Sequence, residues 1–339
     1  MIEVRESLWR SSEKSYLRVL PEALQVRCRS CSLRLQRVLC DFGMEDSFAK
    51  SVQQLKEHYG FEMSTSVLAK TTLKHASKMA SESPPANPHC LPSQGKEQIV
   101  AEADGSFLRI VQFDSDNQTD TRKQRRVDYR EVRLCAATAK GSDEVCYAAS
   151  FNDVDTLSDW LAHSAKTSGM GLNSKIHVVC DGATWIRNQA QNAFGDQAIV
   201  LIDFYHVCDY LSQVHQSIKT LPKRWFETQK KRLLEGRLTA LLKELKHHLE
   251  DDTVGEEEAP VRRALRYLKN RMDALDYKQA LDEDLPIGSG LIESGHKHVL
   301  QARMKLPGAA WKINNAEHMV QARALRANKQ WNQYWDKAA

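Results

Sequence analysis

Three acids stand out for the segments that carry them. Asp104 sits in an alternating run, IVAEADGSFLRIVQF (99–113), and Asp181 closes an apolar run, KIHVVCDG (175–182). Glu293 lies in LPIGSGLIESGHKHVLQARMK (285–305), at the mouth of a helix otherwise furnished with His296, Lys297, His298, Arg303 and Lys305. A helix built to meet phosphates needs no carboxylate at its entrance, whereas a divalent cation brought to a phosphate does. Three carboxylates packed closely repel one another until a cation binds, and their hard oxygens suit Mg²⁺ or Mn²⁺. Two such ions, roughly 3.5–4 Å apart, activate an attacking water or hydroxyl and stabilise the leaving oxygen. The chemistry expected of Asp104, Asp181 and Glu293, as catalytic residues and as metal ligands, is phosphodiester cleavage or transfer. Beside them, His296, Lys297, Arg303 and Lys305 are candidates to grip DNA phosphates.

Each acid also has a plain reading. Asp104 and Asp181 both precede glycine and could be turn residues, and an acid in the first turn of a helix capped by Ser289 is favoured by the helix dipole alone. What joins the three is the order of elements. Strands are expected at 99–113, 129–139 and 144–151, spaced as an antiparallel meander, with Gly105 breaking or bulging the first. An amphipathic helix follows at 153–167, then a buried strand at 175–182, a short helix, and a fifth strand within 197–207. Three strands, helix, strand, helix, strand is a ribonuclease-H-like order, in which the first and fourth strands are neighbours. That topology brings Asp104 to Asp181, and Glu293 would come from a late helix. Just after the fifth strand, Asp203 and His206 are expected to steady the site or position a nucleotide, or to be a solvated strand end with a structural histidine.

The expected class is therefore α/β: a ribonuclease-H-like mixed sheet with an all-α insertion and an N-terminal helical, helix-turn-helix-like domain. Residues 1–80 form the N-terminal region and 81–97, with its prolines, a linker. Residues 98–207 begin the core, 208–284 are a charged all-helical insertion whose Lys219, Lys223, Arg224, Lys230, Lys231 and Arg232 would clamp DNA, and 285–339 complete the core. Within 30–80 three helices are expected, the first ended by Gly43, the second by Gly60, the third capped by Ser64. The third helix would turn Lys70, Thr71, Lys74, His75 and Lys78 outward, with Lys70, Lys74 and Lys78 reading DNA; a solvated face on a plain three-helix bundle is the bland alternative.

Composition sets bounds. The 339 residues are 42% hydrophobic and 27% charged, with a formal net charge of +4, and no run of apolar residues is long enough to span a membrane. The eight cysteines are irregularly spaced and are expected as reduced thiols. Cys28 and Cys31 form one C-x-x-C without a second pair, the GSG at 288–290 is too short for a nucleotide loop, and no G-x-S-x-G elbow exists.

The segments VVCDGATWIRNQA, IVLIDFYHVCDYL, LPIGSGLIESGHKHVLQARMKLPGAAW and AEHMVQARALRANKQWNQYW together resemble DDE transposases of bacterial insertion sequences, the ISKra type above all. The resemblance runs from about residue 20 to the C-terminus and is most specific at 285–311. It implies a metal-dependent acid triad on Asp104, Asp181 and Glu293, with Asp203 and His206 matching a pattern after the fifth strand. It further implies Mg²⁺ or Mn²⁺, two ions, and double-stranded DNA as partner, both element terminal inverted repeats and target. A homo-oligomer on DNA, no membrane, and a cytoplasmic, nucleoid-associated location complete the expectation. A catalytically inactive or domesticated DNA-binding relative and a ribonuclease-H-like nuclease are the competing readings.

Overall fold

The computed structural model describes residues 31–82, 91–113 and 125–338, with the short strands Trp9–Arg10, Tyr16–Leu17 and Val26–Arg27. Residues 114–124 and residues 83–90 of the proline-rich linker lie outside the described residues. The chain divides into two compact units: 1–84 with 109–128 and 299–339, and 85–108 with 129–298.

In the first unit, helices α1 (Leu33–Glu45), α2 (Phe48–Tyr59) and α3 (Thr65–Glu82) follow the predicted pattern. Ser32, Ser47 and Ser64 accept from the N–H three residues on and so cap them. Gly60 ends α2 in the left-handed conformation, φ 67°. Leu39, Leu55 and Leu68, one from each helix, are fully buried together, each burial stabilising by about 1.5–3 kcal/mol. Two expectations fail here. Gly43 does not end α1: it lies inside the helix, where a Cβ would come 2.3 Å from Thr72 Oγ1 on α3. The glycine serves a close helix–helix approach. And Thr71 and His75 do not face out but are buried, while Lys70, Lys74 and Lys78 are exposed.

The second unit is organised by five strands, β1 (Gln98–Phe113), β2 (Arg125–Ala139), β3 (Cys146–Ser150), β4 (Lys175–Cys180) and β5 (Ala198–Ile202), in the order β3-β2-β1-β4-β5. β2 and β3 pair antiparallel, whereas β1–β4 and β4–β5 are parallel. The first and fourth strands are thus neighbours in a mixed sheet, as the element order requires. β1 is continuous through Gly105, where a Cβ would meet the Glu131 side chain from β2 at 2.2 Å. The helices α4 (Leu157–Thr167) and α5 (Thr184–Phe194) connect the strands.

After β5 come α6 (Phe204–Ser217), α7 (Trp225–Leu234), α8 (Leu238–Lys246), α9 (Pro260–Lys269) and α10 (Tyr277–Asp282). The boundary drawn at 208 falls inside α6. Apolar residues of this stretch, among them Val207, Leu211, Leu241, Leu265 and Tyr277, share one core cluster with the sheet residues Ile99, Ile176 and Leu201. The stretch returns to where it left, for the N–H of Phe204 donates to the carbonyl of Ile287 at 2.8 Å. A short helix, α11 (Gly290–Gly295), and a π-helical turn (His296–Gln301) follow. The first unit closes with α12 (Ile313–Ala327) and α13 (Trp331–Ala338). No helix of the described residues is long and apolar enough to cross a membrane.

Candidate active site

Parallel pairing aligns the first two acids. The register that sets Glu102 opposite Val179 brings Asp104, two residues on, level with Asp181, just past the end of β4. Alternation puts Glu102 and Asp104 on one face of the sheet. Glu102 is 1% exposed, and its Oε2 accepts the N–H of Ile292 at 2.7 Å. Burial pushes this carboxyl up to about 8, opposed by the hydrogen bond from Ile292 and reinforced by the charges of Asp203 and Glu293. Its neighbourhood therefore holds Glu293 as well.

The same bond pins α11 to β1. Gly295 lets the helix lie against the sheet, since a Cβ there would come 2.7 Å from the Tyr147 ring on β3 and 2.8 Å from Leu134 on β2. Glu293 is left exposed on the helix, and one turn on, His296 Nε2 lies 3.0 Å from Asp104 Oδ2. The approach is off the line of a hydrogen bond, and neither ring nitrogen has a hydrogen-bond partner among the described residues. Asp104 itself is half-exposed, its Oδ1 taking the N–H of Gly105 at 2.7 Å.

Asp181 is exposed at the side chain but fixed at the backbone. Its Oδ1 accepts from Ala183 N at 2.8 Å, its carbonyl from the Tyr267 hydroxyl at 2.6 Å, and the next carbonyl, of Gly182, from Arg271 Nε at 2.9 Å. Gly182 takes φ 85°, and a Cβ would strike the Tyr267 hydroxyl at 2.6 Å.

Asp203 is buried and fully committed. Its Oδ1 accepts from Tyr205 N (2.7 Å) and His206 N (3.0 Å), and its Oδ2 from Ser289 N (2.6 Å) and the Ser289 hydroxyl. It caps α6 and holds the GSG loop at once. Ser289 therefore makes no side-chain cap on α11, contrary to expectation. Nor is the loop loose: Gly288 faces the Tyr205 ring, where a Cβ would come within 2.7 Å, and Pro286 O meets His177 Nε2 at 2.8 Å. His206 packs edge-on against Tyr210 and Tyr267, which links it through Tyr267 to the Asp181 loop.

Of the basic residues after Glu293, Lys297 and Lys305 are exposed, but His296 and Arg303 are buried. Arg303 lies in the first unit, its guanidinium carbon 4.7 Å and 4.8 Å from the ring centres of Phe48 and Trp311, with Nε donating to Gly43 O at 3.0 Å. Burial lowers its pKa to about 10. Its guanidinium packs between two rings, and the side chain is buried rather than presented to solvent as expected. In the helical stretch Lys230, Lys231 and Arg232 pair with Glu227, Glu235 and Glu244, which halves the free positive charge expected there. The six described free cysteines are all buried.

Asp104, Asp181 and Glu293 supply carboxylate oxygens, open to solvent, of the kind a hard divalent cation takes. As the side chains stand, no group of three or more His, Cys, Asp or Glu among the described residues is drawn together as a metal cluster. Sequence reasoning missed Glu102, Tyr267 and Arg271. An acid two residues before Asp104 in an apolar strand was the one available signal; the roles of the other two depend on contacts across 86 and 89 residues.

A family model described as an uncharacterised protein family, UPF0236, matches residues 3–335. No curated protein matches. Among solved structures, the Drosophila P element transposase strand transfer complex is similar at a TM-score of 0.42 and 9% identity, over 91% of this chain and 95% of that one.

Proposed function

The chain belongs to UPF0236, and we propose that it is a DDE-type transposase that cuts DNA strands and joins them to a target. The observation that carries this reading is the hydrogen bond from Ile292 N to Glu102, which ties the helix bearing Glu293 to the strand bearing Asp104, whose parallel neighbour ends in Asp181. The reading takes these three as an acid triad on a ribonuclease-H-like sheet, in keeping with the resemblance to insertion-sequence transposases of the ISKra type. Asp104, Asp181 and Glu293 would hold Mg²⁺ or Mn²⁺, which when bound supplies Lewis-acid activation of the attacking oxygen and charge stabilisation at the leaving one.

The remaining work falls to this chain's own groups. Glu102 orients α11, Asp203 fixes the loop before it, and His296 keeps the Asp104 carboxylate from turning away. Exposed Lys297 is suited to a phosphate beside the site, and exposed Lys305, Lys70, Lys74 and Lys78 to a DNA backbone. The partner is double-stranded DNA, bound by a homo-oligomer in the cytoplasm. The test is strand transfer with Mg²⁺ on DNA carrying the sequences that flank this gene. Asp181→Asn is expected to bind those ends and not join them. Binding without joining by the wild type, at any divalent ion, would instead favour the non-catalytic DNA-binding relative.

A further inference from the structure

Beside the Asp181 loop the second unit opens a pocket of about 320 Å³, lined by Tyr210, Arg263, Arg266, Tyr267, Asn270 and Arg271. Spacings of three and four residues bring Arg263, Arg266, Tyr267 and Asn270 to one side of α9 and its end, and Tyr210 comes from α6. Three guanidiniums line it, and no carboxylate does. Tyr210 stacks on Tyr267 at 4.2 Å and 21°, and the Arg271 guanidinium lies 4.1 Å from the Tyr267 ring centre. The arginines are only partly committed. Arg263 Nη2 meets Gln213 Oε1 at 3.2 Å, while its buried Nε has no partner among the described residues. Arg266 pairs with Glu256 at 2.6 Å, both side chains about half-exposed, a surface pair that an incoming phosphate replaces at little cost.

An excess of guanidinium with a stacked aromatic pair recognises a ligand that is both anionic and planar. The volume suits one base with its phosphate and is too small for a base pair. The wall is also tethered to the site, through Tyr267 to the Asp181 carbonyl and Arg271 to the Gly182 carbonyl, so an occupant lies beside the loop that carries Asp181. We propose that this pocket binds one unpaired nucleotide of a DNA strand, its phosphate on Arg263 and Arg266 and its base against Tyr210 and Tyr267. The proposal rests on DNA being the substrate, and it names the form of DNA that the site prefers: an end or junction carrying an unpaired base.

Fluorescence anisotropy on the full chain tests it, with a blunt duplex, the same duplex carrying a three-nucleotide overhang, and free dAMP as competitor. The overhang is expected to bind about tenfold tighter than the blunt end, the scale of one base stacked on an aromatic side chain. Tyr210→Ala and the pair Arg263→Ala/Arg266→Ala should erase that preference, leave blunt-end affinity unchanged and keep the wild-type melting temperature. Tyr210→Phe, which keeps the stack, should retain the preference. Equal affinity for both duplexes in the wild type, or variants that weaken both alike, overturns the proposal, as does displacement of the overhang by dAMP at the oligonucleotide's own concentration. A protein that joins DNA yet shows no overhang preference loses this pocket alone; one that shows the preference and joins nothing keeps the pocket and loses the catalytic reading.

Discussion

His75 is strongly altered by its surroundings. Its Nδ1 lies 2.7 Å from the Tyr334 hydroxyl and its Nε2 2.9 Å from Gln36 Oε1. Burial, with Lys74 and Lys78 nearby, lowers its pKa from 6.5 to about 4. The unfolded chain therefore takes up a proton that the folded one refuses. The stability this gives is whole above pH 6.5 and drains away as pH falls toward 4, amounting to about 3 kcal/mol over that window. Urea unfolding followed by helical signal at a series of pH values measures it, and His75→Gln should flatten the profile; full stability retained at pH 4.5 by the wild type would dismiss a neutral buried imidazole. Glu102 poses a different question, since its value lies in an acceptor oxygen. Glu102→Ala leaves the Ile292 N–H buried and unanswered and should cost roughly 1–3 kcal/mol, with strand transfer abolished as α11 loosens. Glu102→Gln keeps an acceptor and should restore both. A Gln variant as damaged as the Ala one would mean that the bond to Ile292 is not what matters.

At the scale of elements, glycine placement decides how closely helices meet their neighbours. Gly43→Ala gains about 1 kcal/mol of helix propensity but drives a methyl into Thr72 Oγ1, 2.3 Å from the new Cβ, and overpacking of this kind costs about 1–3 kcal/mol. The net effect expected is a lower melting temperature, recovered when Thr72→Ala is added; a double mutant no better than the single one would argue against the contact. α3 shows the two faces of one helix put to different uses. Leu68, Thr71, Thr72, His75, Ala76 and Met79 are buried, while Lys70, Lys74 and Lys78, four residues apart, form an exposed row. If that row meets a DNA backbone, replacing Lys70 and Lys74 by Ala should reduce the slope of log affinity against log salt by about 0.9 for each phosphate that is no longer neutralised. An unchanged slope would return the row to plain solvent-facing charge.

The whole molecule is built from segments far apart in the chain. The first unit joins residues from the N-terminal part to 299–339. Arg326 pairs with Asp41 at 2.6 Å, Arg323 donates to the carbonyls of Val299 and Met44, and Tyr334 meets His75. Ending the chain at His298 removes every one of those partners. Hydrogen exchange should then find the amides of 33–82 unprotected while those of β4 and β5 stay protected, because the core of the second unit draws on none of the deleted residues. Equal deprotection of both units would mean that they fold only as one.

Much of this was written locally. The helix ends at Gly60 and Ser64, the amphipathic faces and the order of strands are set by interactions within a few residues, so the sequence alone located them, and with them the strands that carry Asp104 and Asp181. The burial of Arg303 and His296 was not legible, because a basic side chain at helical spacing looks the same whether it faces water or, as Arg303 does, lies against Phe48 and Trp311. Gly43 looked like a stop signal because nothing local distinguishes a capping glycine from one that makes room for Thr72. The bond that holds α11 to β1 joins residues 190 apart, and the clamp of Asp203 on Ser289 spans 86. Such pairs carry no local periodic signature, and only the folded chain, by bringing distant polar groups out of water and into each other's reach, decided them.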